Sequence, residues 1–281
     1  MAPPNPASRA ATARERARAE LSREIKEEAR RQLAASGADG LSLRAVAKQL
    51  GMVSSALYRY YPSRDDLLTV LIIDAYNALG AAAENAIAGG GQAATAGQAA
   101  AGDAMSARER WIAACHAVRG WALANPHEYA LIYGSPVPGY RAPEATIGPA
   151  ARVPLAFAGL LGEALASGEL GGSAGARTAG TGAGAGELPA TGPLAAQAGA
   201  LSAALAQSVP GTGTGGAGGA VSATVPRTVP PDVLVRAVIA WTQLFGMTSF
   251  ELFGQFVGSF EPADALFAYA AEQLAAFVGL R

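Results

Sequence analysis

Between Leu41 and Leu68 the chain reads LSLRAVAKQLGMVSSALYRYYPSRDDLL, a cluster of hydroxyl, phenol and guanidinium side chains at helical spacing. Ser54, Ser55, Tyr58 and Arg59 fall on one side of a short helix expected over about 53–61. Leu57 and Tyr61, one turn apart, fall on the other. The chemistry open to the outer set is hydrogen bonding and charge pairing, not bond breaking. The rest of an enzyme's equipment is missing from the sequence. It has no nucleophile elbow, phosphate-binding glycine loop or dinucleotide fingerprint, because its glycines sit in low-complexity tracts with no strand before them. His116, His127 and Cys115 are the only residues of their types and make a poor zinc set. No enzyme, metal or cofactor is expected.

The elements that hold this cluster follow from local signals. The Ser42 hydroxyl can accept an orphan backbone N–H and start a helix. Leu43, Val46, Ala47 and Leu50 give that helix one apolar face, and Gly51 can end it. Pro62 ends the second helix and Ser63 caps a third, with Asp65 and Asp66 where the helix dipole favours acids. Upstream, Glu15 to Ser36 reads as a long helix with Leu21, Ile25, Ala29 and Leu33 as its buried stripe, and Gly37 and Gly40 bracket the loop that follows. Two helices at a tight turn form a helix-turn-helix, whose second helix enters the DNA major groove. Any buried helical hairpin shares that bare pattern.

A closer likeness lies in the individual residues. Gly51, Ala56, Leu57, Tyr58, Tyr60, Tyr61, Pro62, Ser63, Arg64 and Leu67, with Leu41-Ser42-Leu43-Arg44 and Val46-Ala47 upstream, resemble the DNA-binding domain of TetR-family transcriptional regulators over roughly residues 20–70. The resemblance implies an all-α protein, with an N-terminal three-helix helix-turn-helix domain followed by a larger helical ligand-binding and dimerisation domain. It places Ser54, Ser55, Ala56 and Tyr58 where bases are met. Ala56 offers a methyl to a thymine methyl and serine hydroxyls discriminate poorly, so modest direct readout plus DNA shape is expected. It assigns phosphate contacts to Ser42, Arg44, Arg59, Tyr60 and Arg64, the last where the family usually has lysine. Core packing is the competing role for Tyr58 and Tyr60, and the expected one for Tyr61. Val53 stands where the family often has a capping Ser or Thr, which leaves Ser54 as the candidate cap.

Overall charge is near balance at −1, but residues 1–70 hold 12 Lys and Arg against 8 Asp and Glu, and the remainder 9 against 14. A basic front suits phosphates. Residues 1–13, with Pro3, Pro4 and Pro6, read as a disordered arm. Arg9, Arg14, Arg16 and Arg18 can reach DNA as such arms do, or remain a solvated tail. Residues 14–68 form the expected DNA-binding domain and 69–281 the regulatory and dimerisation domain, with flexible Gly/Ala-rich insertions at 89–104, 171–192 and 208–230. No secretory signal and no uninterrupted apolar run of about 20 residues is seen, so a cytoplasmic protein without a membrane span is expected.

Helix is expected from Asp65 to about Ala88, from Ser106 to Asn125 (Ser106 and Glu109 at capping-box spacing), over PHEYALIYG at 126–134, over 149–168 and, between two tracts, over 194–207. Pro231 opens an apolar helix with Leu234, Val238, Trp241, Phe245, Thr248 and Leu252 along one side. Pro262 opens a last one with Leu266, Tyr269, Ala270, Leu274 and Phe277. These last two helices suit a four-helix homodimer interface, a monomer's core being the alternative. Trp241, Leu244, Gly246, Ser249, Glu251 and Leu252 resemble the TetR regulatory class named for a Trp-His-Gly motif, with Phe245 in place of the histidine. By that resemblance Trp111, His116, Trp121, Tyr129, Tyr133, Trp241 and Phe245 are candidates to line an effector pocket; ordinary core packing is the competing role for each.

Taken together, the expectation is a dimeric regulator that binds a palindromic operator in double-stranded DNA and is released by an unknown small-molecule effector, most simply a repressor. An architectural DNA-binding protein without an effector is the rival.

Overall fold

The structure, a computed structural model, describes residues 6–89, 105–171, 192–207 and 229–281. The greater part of the three Gly/Ala-rich insertions and the side chains of the N-terminal arm lie outside the described residues. Within them the fold is all-α: α1 (Pro6–Ser36), α2 (Leu43–Gln49), α3 (Ser54–Tyr58), α4 (Arg64–Ile87), α5 (Ala107–Ala124), α6 (Pro126–Tyr133), a short 3-10 turn (Glu144–Thr146), α7 (Ile147–Ser167), α8 (Pro193–Gln207), α9 (Pro231–Leu252) and α10 (Asp264–Val278). The chain divides into two compact units, Met1–Ala78 with Asn125–Ala150, and Leu79–Ala124 with Ala151–Arg281.

The first unit closes around the stripe read from sequence. Ile25, Ala29 and Leu33 of α1 meet Leu43, Val46 and Ala47 of α2, Leu57 of α3 and Leu67, Leu68 and Leu71 of α4, all buried. Leu131, Val137 and Tyr140, from beyond α5, pack on the same core. The buried Tyr61 sends its hydroxyl to Ser22 Oγ (2.9 Å), which gives it the expected packing role. Polar ties join α1 to α4 and α6: Lys26 to Asp74 (2.8 Å), and Arg30 to both Asp74 (3.1 Å) and Glu128 (2.7 Å). Tyr140 and Thr69 share a hydroxyl hydrogen bond (2.9 Å).

The turn between α2 and α3 depends on Gly51, whose φ is +65°. Met52 N donates to Ala47 O (2.8 Å), the six-to-one closure that a left-handed residue permits at a helix end. A Cβ at Gly51 would meet open space, so Gly51→Ala carries only the backbone penalty. It should destabilise the unit by about 1 kcal/mol, read as a lower urea midpoint at unchanged slope, with Gly51→Asn costing less.

In the second unit the predicted α5 face holds: Trp111, Cys115, Val118 and Ala122 are buried. The Ser106–Glu109 box forms, Ser106 N donating to the Glu109 carboxylate (2.8 Å) and Glu109 N to Ser106 Oγ (3.2 Å). The Ser106 N–H and, beside it, the Ser106 hydroxyl, which donates to the same oxygen (2.9 Å), hold the Glu109 carboxyl below its usual range. Gly80 of α4 lets Arg152 of α7 approach so closely that a Cβ would stand 2.7 Å from Arg152 Cβ. The guanidinium there grips Glu84 (Nε to Oε1 2.9 Å). Arg119 of α5 is buried against α9 and α10. It binds Glu251 with two N–H groups (2.6 and 2.7 Å) and Asp264 with a third (3.0 Å), over the Phe267 ring.

The α10 stripe differs from the residues singled out in sequence. Phe267, Ala271, Ala275 and Val278 are buried, while Tyr269 and Phe277 are exposed, as is Val238 on α9. Helix α10 is apolar nearly all round, so periodicity cannot choose between its faces, and small alanines took the packed side. The expectation about membrane spans also needs amending. Arg64–Ile87, Glu144–Ser167 and Pro231–Leu252 are long and apolar enough to cross a membrane by length and composition alone. Each carries an ion-paired residue: Asp74 and Glu84, Arg152, and Arg236 with Asp232 and Glu251.

Candidate nucleic-acid interface

The α2–α3 pair is held by contacts that leave its outer face clear. Ser42 caps α2, its Oγ accepting from Ala45 N (3.4 Å), while its own N–H donates to Gln32 Oε1 on α1 (3.3 Å). The α3 helix is short because its cap is weak: Val53 sits at the N-cap with extended backbone and no side-chain hydrogen bond. The turn continues through 3-10-type bonds, Arg59 N to Ala56 O (3.3 Å) and Tyr60 N to Leu57 O (2.9 Å). Ser54 therefore does not take over the cap. It is the first helical residue and is exposed, as are Ser55, Tyr58 and Arg59, with Ala56 and Tyr60 half-buried. The capping-box geometry that α3 lacks appears at α4, where Ser63 N donates to the Asp66 carboxylate (2.9 Å) and Asp66 N to Ser63 Oγ (3.1 Å).

Where the cations of this unit find partners separates two surfaces. From Arg23 onward every basic residue of α1 is paired: Arg23 with Glu20 and Glu27, Lys26 and Arg30 as above, and Arg31 with Glu28 (2.7 Å). Arg64 donates to Ala38 O (2.7 Å) and lies near Asp39 and Asp65 (4.0 and 3.7 Å), so it ties the α1–α2 loop to α4. Among the described residues no carboxylate pairs with Arg14, Arg16, Arg18, Arg44, Lys48 or Arg59, all of them exposed. An unpaired cation costs nothing in water but is available to a phosphate.

Sequence reading overlooked two members of this face. Lys48 lies one turn beyond Arg44 on α2, a spacing that makes the two neighbours on one helix surface. Val53 is 70% exposed at the entry to α3, an unusual place for a bare β-branched side chain and one suited to a thymine methyl. Its hydrophobicity beside polar neighbours was the available signal.

The effector candidates are distributed over both units. Tyr129, fully buried, and Tyr133 belong to the first unit, with ring centroids 5.2 Å apart and Tyr76 edge-on to Tyr133. Burial pushes the Tyr133 hydroxyl well above its ordinary pKa. Trp111, His116, Trp121, Trp241 and Phe245 belong to the second unit. His116 is exposed with its ring against Phe267 (5.4 Å). Trp111 packs edge-on to Phe157 (4.7 Å) and Trp241 on Phe245 (5.6 Å). The indole N–H groups of Trp111 and Trp241 are buried without an acceptor among the described residues. Among the described residues no group of three or more His, Cys, Asp or Glu is placed to hold a metal ion.

Comparison with known proteins identifies the family. Residues 25–71 match the family of bacterial regulatory proteins named for tetR, and residues 111–274 match the tetracyclin repressor-like C-terminal domain. The chain belongs to the TetR family. That is a family of regulators and not of enzymes. The TetR-family chain is 46% identical over 159 residues to the HTH-type transcriptional regulator Rv1816 of Mycobacterium tuberculosis H37Rv; the match covers 55% of this chain and 61% of that regulator's length. It is 31% identical to SCO4313, a protein proposed to be regulatory, with a TM-score of 0.59 over 93% of this chain and 98% of the other. A protein of unknown function from Rhodococcus sp. RHA1 shares the fold at 21% identity and a TM-score of 0.58, over 92% of this chain and 95% of that one.

Proposed function

We propose that this TetR-family chain is a sequence-selective, DNA-binding transcriptional regulator. It acts in the cytoplasm as a homodimer, each subunit placing α3 in the major groove of one half of a palindromic operator. The observation that carries this reading is the concentration of unpaired cations around an α3 whose polar side chains are exposed, while basic residues elsewhere on α1 are neutralised. Bases would be met by Ser54, Ser55, Ala56 and Tyr58 with Val53. Phosphates would be met by Arg44, Lys48, Arg59 and Tyr60 and the α2 start at Ser42.

Two features of the second unit support the finer proposals. Val238, Ile239 and Phe250 on α9 and Tyr269 and Phe277 on α10 are all more than 40% exposed, five large apolar side chains on two helices that pack on each other. Covering them with a second copy completes the dimer. A buried donor without an acceptor costs about 1–3 kcal/mol. Two such donors, on Trp111 and Trp241, suit an apolar effector bearing hydrogen-bond acceptors. Effector binding would release a repressor from its operator, and by linkage DNA would weaken the effector by the same factor.

The test is binding to duplex DNA taken from beside the chain's own gene, with salt titrated. Wild type should select a palindrome with two subunits per site. Tyr58→Ala should lose that selectivity while keeping its salt dependence. Equal binding of both proteins to every sequence would favour the architectural rival.

A further inference from the structure

The first turns of α1 extend beyond the packed part of their unit. Arg14 to Glu20 are exposed without a break, and burial begins only at Leu21 and Ser22. One row of this helix can be followed outward, turn by turn. Ser22 hydrogen-bonds Tyr61 (2.9 Å), and Arg18, one turn earlier, lies over the ring of Tyr60 (5.8 Å to the centroid). Arg14, one turn earlier again, is exposed. The row therefore leads outward from Tyr61 and Tyr60, which follow α3 and the exposed Arg59 in the chain. An arginine over an aromatic face keeps its in-plane N–H donors available. The carboxylate at pairing distance along the helix, Glu15, three residues before Arg18, forms no ion pair with Arg14 or Arg18 among the described residues, and Glu20 is held by Arg23.

Resting on the DNA-binding reading above, we infer that the overhanging start of α1 is a second, rigid phosphate-binding element, in which Arg14 and Arg18 grip the duplex backbone beside the groove read by α3. The occupant is a nucleic-acid backbone because the patch is cationic and unpaired among the described residues, and Arg18 lies over Tyr60, the chain neighbour of the exposed Arg59. An apolar or basic partner would not be held there. The element is a helix and not a flexible arm, so its reach is fixed: about 1.5 Å per residue along α1. Tyr60 accordingly does two things. Its ring positions Arg18, and its own hydroxyl is a phosphate ligand of the α3 turn.

Backbone contacts are independent of sequence, so the test needs no operator. Full-length wild type and the double variant Arg14→Ala/Arg18→Ala are titrated into a labelled random-sequence 30-base-pair duplex between about 50 and 300 mM salt, with Arg59→Ala as the reference. Alanine preserves helix, so α1 is retained, which circular dichroism checks. The double variant should lower the slope of log K against log salt by about 1.8 if one subunit engages and about 3.6 if two do. Arg14→Lys/Arg18→Lys should restore most of the slope, which a purely structural stacking role would not allow. An unchanged slope in the double variant while Arg59→Ala lowers it overturns the α1 element and leaves the DNA-binding reading standing. Absence of salt-dependent duplex binding by wild type overturns both.

Discussion

Arg119→Met should destabilise the second unit by about 3–5 kcal/mol, the largest effect expected of any single substitution described here. The cost arises less from losing an attraction than from what is left behind. Arg119 and Glu251 have side chains only 9% and 17% exposed, and two guanidinium N–H groups satisfy the Glu251 carboxylate. Removing the cation leaves that largely covered carboxylate without its partner. The double variant Arg119→Met/Glu251→Met should recover most of the loss, because an apolar pair of similar volume is often as stable as a buried ion pair. Urea midpoints at constant slope check both expectations. A loss below about 1 kcal/mol for the single variant would falsify the assignment, since it would mean that water reaches Glu251 freely.

The same contact sets a pH dependence. The hydrogen bond from Arg119 holds the exposed Asp264 carboxyl below its usual range, with the charge of Arg119 adding to it. Its folded pKa is then lower than its unfolded one. The contribution is complete above the ordinary aspartate value, about 3.9, and is lost as pH falls through the depressed folded value. Arg119→Met should lack this acid-side increment.

Arg59→Ala and Arg64→Ala should fail in different ways although each removes one arginine from the same helix-turn-helix. Arg59 is exposed and unpaired among the described residues. On the proposed reading its loss lowers the salt slope by about 0.9 per subunit and the affinity at 0.15 M salt by about fivefold per contact, about thirtyfold for two. Arg64 carries the resemblance to a phosphate contact, but its guanidinium donates to the Ala38 carbonyl at 2.7 Å. Arg64→Ala should therefore cost about 1–2 kcal/mol of stability and leave the slope nearly unchanged. Salt titrations paired with urea unfolding separate the two, and the reverse outcome would return Arg64 to the phosphate-binding set.

That contrast shows what the sequence could and could not carry. Ile25, Ala29 and Leu33, or Trp111, Cys115, Val118 and Ala122, declare their buried faces because polar residues fill the other side of the helix. On α10 nearly every residue is apolar, and the packed face fell on Phe267, Ala271, Ala275 and Val278, which no periodicity distinguishes from Tyr269 and Phe277. Arg64 is a different case. Its partner is a backbone carbonyl, and every residue has one, so the pairing leaves no trace in side-chain identity. The unpaired state of Arg18 was equally hidden, since Glu15 stands at pairing spacing from it and no ion pair forms between them among the described residues. The membership of α6 in the first unit rests on Arg30 and Glu128, which are 98 positions apart.

That separation has a consequence for how the protein is made. The unit that carries α3 is interrupted by the whole of α5, and its last pieces, Glu128 on Arg30 and Tyr140 on Thr69, come from residues 125–150. A nascent chain that has released only its first 78 residues from the ribosome lacks Leu131, Val137 and Tyr140, which cover its core. Contacts so distant in sequence form late, after their loop-closure entropy has been met. Domains that emerge early usually fold as they appear. Here the surface proposed to read DNA waits on translation of about half the polypeptide before its underside is sealed.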